Sequence, residues 1–375
     1  MNSSPQTAII IGAGAIGLSI GWELAKRGLD ATIYDRGSLG REASWAAAGM
    51  LAAAAETAPG HETFFALARA SRERWAEYAS KLEAASDRNI GYSSGETFVI
   101  AQSQEEEDHL REMVKYLRQF DEPVRLIKKA RLAEFEPEAN ENARLGLLSP
   151  RDGQVDNRAF AAALCTAFAK AGGELIQNTE VDDVIVVGGR AVGVLIGEET
   201  VSADHVILCA GSWSSNSFPS LEGRVPTVHP VKGQMIAFQS EPQRLKHIVW
   251  SQSKEDSVYI VPRADGRIII GATSEEAGFD QSVDTATLEA QKAKAAKVLP
   301  FLGDLEIIDS WAGLRPASAD GLPIIGPSEI AGLSLATGHY RNGILLAPIT
   351  ADFIADFVQS DEVPATLIPF SPSRF

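Results

Sequence analysis

Three groups of residues in this sequence have types and spacings suited to chemistry. The first is Gly12-Ala13-Gly14-Ala15-Ile16-Gly17, with Asp35 closing the second apolar run after it. In a turn between a strand and a helix, Gly12 permits a sharp bend, Gly14 lets backbone approach a pyrophosphate, and Gly17 lets the helix pack closely on the strand. Asp35 stands where a carboxylate accepts hydrogen bonds from ribose hydroxyls and repels a 2′-phosphate. A glycine-rich turn that binds nothing would account for the glycines but not for the register of strand, helix and acid. The second group centres on Arg315, set after the apolar Trp311-Ala312-Gly313-Leu314 and before Pro316. A buried guanidinium without a partner is costly. Its partner is either a substrate carboxylate held by two parallel hydrogen bonds or one of the chain's 50 acidic residues. The third group is Gly338-His339-Tyr340-Arg341-Asn342-Gly343, a turn between an apolar run and an apolar helical pattern.

These groups need elements to hold them. Residues 8–11 lack polar alternation, as expected of a strand buried on both faces of a parallel sheet. The following helix places Ile16, Ile20 and Leu24 together, carries Lys26 and Arg27 in its last turn and stops at Gly28. Its N-terminus is expected to face phosphates with free N–H groups and a partial positive charge. Residues 31–34 read as a second strand. Residues 40–51 are mostly small, which suits either a backbone lying against a flat ligand or an alanine-rich helix packed on a neighbour. Helices at 64–85 and from Ser103, where Glu106 completes a capping box, read as scaffold. A helix at 156–170, a strand at 174–177 and a meander at 184–187, 191–196 and 205–209 return the chain to a buried strand. Strands follow at 233–239, 248–251, 258–261 and 267–270, the last two joined at Asp265-Gly266. A helix at 285–298, strands at 306–314 and 333–337 and a helix at 344–358 complete the chain. The fold class is α/β: a dinucleotide-binding, Rossmann-like domain with an interleaved β-rich α+β substrate domain. We place the first at 1–88, 145–222 and 316–375, and the second at 89–144 and 223–315.

The length of 375 residues fits two domains, each with its own core. A formal charge of −16 argues against nucleic acid and against an anionic membrane surface. Cys165 and Cys209 read as small buried apolar residues rather than a disulfide, which points to a reducing, cytoplasmic setting. The polar start, residues 1–6, is unlike a signal peptide. No apolar run approaches the ~20 residues that span a bilayer. The histidines show no metal-ligand spacing, so no metal is expected.

In these motifs the sequence resembles the D-amino-acid oxidase superfamily of flavoproteins, and within it the glycine oxidase branch of the thiamine-pathway type, over essentially the whole chain. The resemblance rests on the first glycine motif with Asp35, Ala47-Ala48-Gly49-Met50-Leu51, the stretch from Trp311 to Pro316, Asp320-Gly321-Leu322-Pro323-Ile324-Ile325-Gly326, and the run from Gly338 through Gly343 to Pro348. It implies FAD rather than NAD, held non-covalently, because no cysteine follows Cys209 to fix the flavin as in some relatives. It implies cofactor contacts at Gly12, Gly14, Ala15, Ile16, Gly17, Asp35, Arg36, Ala43, Ser44, Ala48, Gly49, Met50, Val181, Gly211, Tyr340, Arg341, Asn342, Gly343, Ile344 and Leu345. A helix starting near Gly343 would aim its N–H groups at the pyrimidine end of a reduced flavin.

For the substrate, the resemblance implies that Arg315 takes the carboxylate, Tyr259 and Arg341 assist, and Met50 lines the pocket. Tyr259 also reads as ordinary strand packing, Arg341 as a solvent-facing turn residue and His339 as a packing or capping residue. The implied reaction is oxidative deamination of glycine and other small amines, such as sarcosine and D-alanine, without a dedicated catalytic base. Hydride would pass from the α-carbon to flavin N5, and the imine would hydrolyse to a 2-oxo acid and ammonia while dioxygen becomes hydrogen peroxide. One alternative is a D-amino-acid dehydrogenase serving another electron acceptor. Another is a flavin-carrying subunit of a larger assembly. Expected partners are a small amino acid, dioxygen and further copies of the chain, with neither nucleic acid nor membrane.

Overall fold

The computed structural model describes residues 6–253 and 257–375; the expected polar start therefore falls almost wholly outside the described residues. Thr7–Ile11 pairs in parallel with Asp30–Tyr34 on one side and His205–Leu208 on the other. Its alternating side chains all meet protein, which is why the sequence shows no polar period. The sheet holds six strands in the order Ile324–Pro327, Leu333–Thr337, His205–Leu208, Thr7–Ile11, Asp30–Tyr34, Glu174–Ile176. Of these, Ile324–Pro327 runs antiparallel to its neighbour. Strands from both ends of the chain thus share one sheet, flanking His205–Leu208, and the carboxyl ends of the parallel strands open onto one crevice, the usual ligand position in such sheets.

The helix Ala15–Lys26 packs on Gly343–Ser360, which also packs on Glu62–Ser86. Gly343–Ser360 is 18 residues long and apolar enough to cross a membrane by length and composition, yet 67% of it is buried inside the protein. Its apolarity is used in helix packing, so the expectation that no run approaches spanning length is corrected to this extent. Pro348 lies inside this helix. Near it, the Leu345 carbonyl accepts hydrogen bonds from Ser71 Oγ at 2.6 Å and Trp75 Nε1 at 2.9 Å.

A second sheet has eight strands in the order Ile307–Ser318, Val228–Gln239, Arg267–Gly271, Val258–Pro262, Ile248–Ser251, Thr97–Ala101, Leu145–Ser149, Arg125–Lys128. The helix Thr285–Val298 covers one face, started by Asp284, whose carboxylate accepts the Thr287 N–H at 2.8 Å. Four differences from the sequence reading stand out. Residues 145–149, expected with the cofactor domain, pair with Thr97–Ala101 in this larger sheet. The strands Thr97–Ala101, Arg125–Lys128, Leu145–Ser149, Glu199–Ser202 and Ile324–Pro327 were not anticipated, because runs of four or five residues carry no decisive period. The strand expected to end at 314 continues to Ser318, through Pro316. A proline is tolerated there because the strand lies at the sheet edge. At the helix Gln104–Leu117, Ser103 Oγ accepts the Glu106 N–H at 3.2 Å, but the Glu106 carboxylate accepts the N–H of Gln102, not of Ser103.

Candidate active site

A cleft open to solvent runs from the carboxyl ends of the parallel strands to the larger sheet. At its first end Gly12 has φ +106°, and a Cβ there would sit 2.5 Å from the Cys209 carbonyl oxygen, so no other residue fits the bend. A Cβ at Gly14 would meet only Ser44 Oγ, at 3.3 Å, and its absence keeps the wall of the cleft low. The Asp35 carboxylate accepts the Ala13 N–H at 2.7 Å and the Gly37 N–H at 2.8 Å. It holds the glycine turn in place, and its remaining lone pairs stay available to ribose hydroxyls. The Ala15 N–H donates to Ser44 Oγ at 2.8 Å, so one of the helix N–H groups expected to be free is capped by a hydroxyl across the cleft. Arg36 stacks 3.7 Å from the ring centre of Trp213.

The small-residue stretch folds into the short helix Glu42–Ala46 and the strand Met50–Leu51, which pairs with Gly153–Gln154. Two residues that sequence reasoning missed hold it. Asn157 Nδ2 donates to the carbonyls of Ser44 and Trp45 at 2.8 and 2.9 Å. Arg263 donates to the Ala48 carbonyl at 2.8 Å, to Gln154 Oε1 at 2.6 Å and to Asn157 Oδ1 at 3.1 Å. Burial lowers the Arg263 pKa to about 10, against the pull of Asp156. The available signal was an arginine directly after an apolar strand, the same clue that marked Arg315.

At the far end Arg315 projects from the edge strand, opposite Val231 in register. Expected to be fully buried, it is half-buried. Its Nη1 donates to the Thr273 carbonyl at 3.0 Å and reaches the Lys232 carbonyl at 3.5 Å. Its guanidinium lies flat over Gly233, where a Cβ would come within 2.3 Å of Nη2. Tyr259 occupies a similar notch: a Cβ on its strand partner Gly271 would sit 2.3 Å from the phenolic oxygen. That hydroxyl donates to Met235 Sδ at 3.4 Å, and burial raises its pKa against the pull of Arg315. Arg341 is exposed, in the turn before Gly343–Ser360 and 5.5 Å from the ring centre of Tyr340. Among the described residues no carboxylate lies within ion-pair range of Arg315 or Arg341, so the internal salt bridge is not formed. Met50 and Glu56 complete this end; Glu56 was not anticipated, since nothing local in Ala54-Ala55-Glu56-Thr57 distinguishes it.

Of the residues named from the sequence, Gly17, Asn342 and Leu345 do not line the cleft. A Cβ at Gly17 would fall 2.0 Å from the Gly12 carbonyl oxygen, so this glycine serves helix–strand packing. Asn342 precedes the first turn of Gly343–Ser360, and Leu345 is buried in the core, its carbonyl accepting from Ser71 and Trp75. The remaining named residues border the cleft. His339 is 4% exposed, with Nε2 3.1 Å from Thr350 Oγ1. Burial pushes its pKa down to about 3, so it is neutral and packs as expected.

The residues fit an extended dinucleotide: a glycine turn under a helix N-terminus, an acid beyond the second strand, and low walls of Gly14, Ala48 and Gly49. The first turn of Gly343–Ser360 borders the same cleft at Gly343 and Ile344.

The family model described as "FAD dependent oxidoreductase" (DAO) matches residues 7–357. The chain is similar to a bifunctional ThiO/ThiG protein of Trichormus variabilis, 38% identical over 98% of this chain and 55% of that protein. It is also similar to a glycine oxidase of Geobacillus kaustophilus, 36% identical over 97% of this chain and 96% of that protein. The chain therefore spans about half of the bifunctional relative and nearly all of the single-function one. The crystal structure of the Geobacillus kaustophilus glycine oxidase superposes with a TM-score of 0.91 at 35% identity, covering 99% of each chain. The cleft, its glycine turn and the full-length match lead to one conclusion: this chain belongs to the DAO family of FAD-dependent oxidoreductases.

Proposed function

We propose that this chain oxidises glycine and other small amines, including sarcosine and D-alanine, to an imine that hydrolyses to a 2-oxo acid and ammonia, with dioxygen reduced to hydrogen peroxide. The observation that carries this reading is the Arg315 guanidinium, anchored by carbonyls on one side and without a carboxylate partner among the described residues. A substrate carboxylate supplies the missing partner by two parallel hydrogen bonds, and Tyr259 and Arg341 add a hydroxyl and a second positive charge.

FAD, when bound, supplies the two-electron acceptor that dioxygen reoxidises. Gly12, Gly14, Ala15, Ser44, Asp35, Val181 and Gly211 would hold its nucleotide portion; Ala48, Gly49, Met50, Gly343 and Ile344 would flank the ring system. The chain's own contribution is orientation. Arg315 and Tyr259 fix the carboxylate and so aim the α-carbon, while the partial positive charge at the start of Gly343–Ser360 favours negative charge beside it. No side chain is needed to remove the α-proton.

The oxidase names of the relatives support dioxygen rather than another acceptor. The similarity to the ThiO/ThiG protein supports a place in thiamine biosynthesis. The two unpaired cysteines suit a cytoplasmic compartment, and a homo-oligomer and the two-domain division remain part of this proposal. The test is peroxide release by the FAD-loaded enzyme with glycine, sarcosine and both enantiomers of alanine. Turnover of glycine, sarcosine and D-alanine, with L-alanine inert, is expected; no oxygen uptake with any of them overturns the reading.

A further inference from the structure

Glu56 is a half-buried acid that takes no part in the mechanism above. It lines the cleft at the end that holds Arg315, Arg341, Tyr259 and Met50. Its Oε2 is shut off from solvent and has no hydrogen-bond partner. A carboxylate oxygen in that condition is unfavourable unless a donor arrives to meet it. Nor is Glu56 spent on neutralising the arginines, since neither guanidinium forms an ion pair with it.

The turn that carries Glu56 is clamped. The Ala54 and Ala55 N–H groups donate to the two oxygens of Asp152 at 3.0 and 2.8 Å, and Gln252 Nε2 donates to the Ala55 carbonyl at 2.6 Å. Asp152 is itself bonded by Arg72 at 3.0 Å, and Arg72 bonds Glu122 at 2.6 Å; all three are buried. A buried charge network of this kind fixes position at a cost in stability, and here the position it fixes is that of Glu56. Burial raises the Glu56 pKa, joined by Asp152 behind it, while Arg341 and Arg315 in front pull it down.

A small amino acid carries two polar ends, and the contacts derived so far address only its carboxylate. We propose that Glu56 is the amine-binding residue of the pocket, its unpaired oxygen accepting hydrogen bonds from the substrate nitrogen, and that it selects amino acids over hydroxy acids of equal size. Building on the amine-oxidase reading above, this assigns the other pole of the same site: guanidinium groups for the acid, a carboxylate for the amine. A hydroxy acid presents one donor instead of an ammonium group, and an amine-free acid places its only charge in the field of Glu56 without compensation.

The test uses the FAD-loaded enzyme, with KM and kcat for glycine and the Kd of acetate read from flavin absorbance. Glu56→Gln should raise the KM for glycine about 10- to 100-fold, the size expected for losing a charged hydrogen bond. Acetate binding should stay equal or tighten, because a like charge is gone. Glu56→Asp should recover part of the glycine affinity. The proposal is overturned if the glycine KM of Glu56→Gln stays within about twofold of wild type, or if acetate and glycine weaken together. If Glu56→Gln does not retain FAD, Glu56→Asp decides, since its withdrawn carboxylate should weaken glycine and spare acetate. Failure of the wild-type enzyme to oxidise glycine overturns the amine-oxidase reading itself, a result separate from either variant.

Discussion

At the residue scale, the substrate end depends on shape as much as on charge. Arg315→Ala should raise the KM for glycine about 100-fold or more with FAD content unchanged, as steady-state kinetics and flavin absorbance would show. Gly233→Ala offers a sharper test, because it leaves every charge in place. The new Cβ would fall within 2.5 Å of three guanidinium atoms. The guanidinium is the mobile end of a long side chain, so it should shift while the strand stays. We expect a KM increase of about tenfold with little change in Tm. An unaltered KM would mean that the aim of the guanidinium does not matter.

At the scale of elements, the wall of small residues is held by side chains from elsewhere in the chain. Arg263 joins the hairpin strand Val258–Pro262 to the carbonyl of Ala48, and Asn157, in the first turn of its helix, ties the helix Glu42–Ala46 to the same region. Arg263→Met would leave the Ala48 carbonyl and the side chains of Gln154 and Asn157 short of donors. A stability loss of about 2–4 kcal/mol is expected, with weaker FAD binding, measured by chemical denaturation and FAD titration. Ser103→Ala serves as the contrast. It removes a helix cap remote from the cleft and should cost about 1 kcal/mol with FAD affinity unchanged.

At the scale of the molecule, the chain's two ends meet in one sheet, and the helix Gly343–Ser360 both borders the cleft and fills the core. This shared role links the stability of the whole to His339, which packs on Thr350 of that helix. Its folded pKa is about 3, far below the ordinary histidine value of 6.5, so the unfolded chain binds the proton more readily. The associated stability is complete above pH 6.5 and is lost as pH falls from there toward 3, by up to about 1.4 kcal/mol per pH unit. Thermal unfolding at pH 7 and pH 5 should therefore show a larger drop in Tm for wild type than for His339→Gln. Equal drops would show that this histidine does not carry the dependence.

The sequence alone determined the ligand-facing turn and the long elements around it. Gly12 to Gly17 and Asp35 are legible because the chemistry of a tight turn and a ribose partner depends on residue type at fixed local offsets. The helices Thr285–Val298 and Gly343–Ser360 are legible because they run for 14 and 18 residues, longer than a strand, in stretches rich in helix-forming residues. Arg315 was visible because a charge in an apolar run demands a partner. What the tertiary structure decided is the company these residues keep. Glu56 reaches the cleft and Asn157 and Arg263 brace its wall from separate segments, and Gly233 and Gly271 matter through the strands paired beside them, across gaps in sequence that no local pattern records. The short strands, among them Thr97–Ala101 and Leu145–Ser149, formed by finding a place in a sheet rather than by their own preference. Local chemistry is written in neighbouring letters; convergence is set by packing.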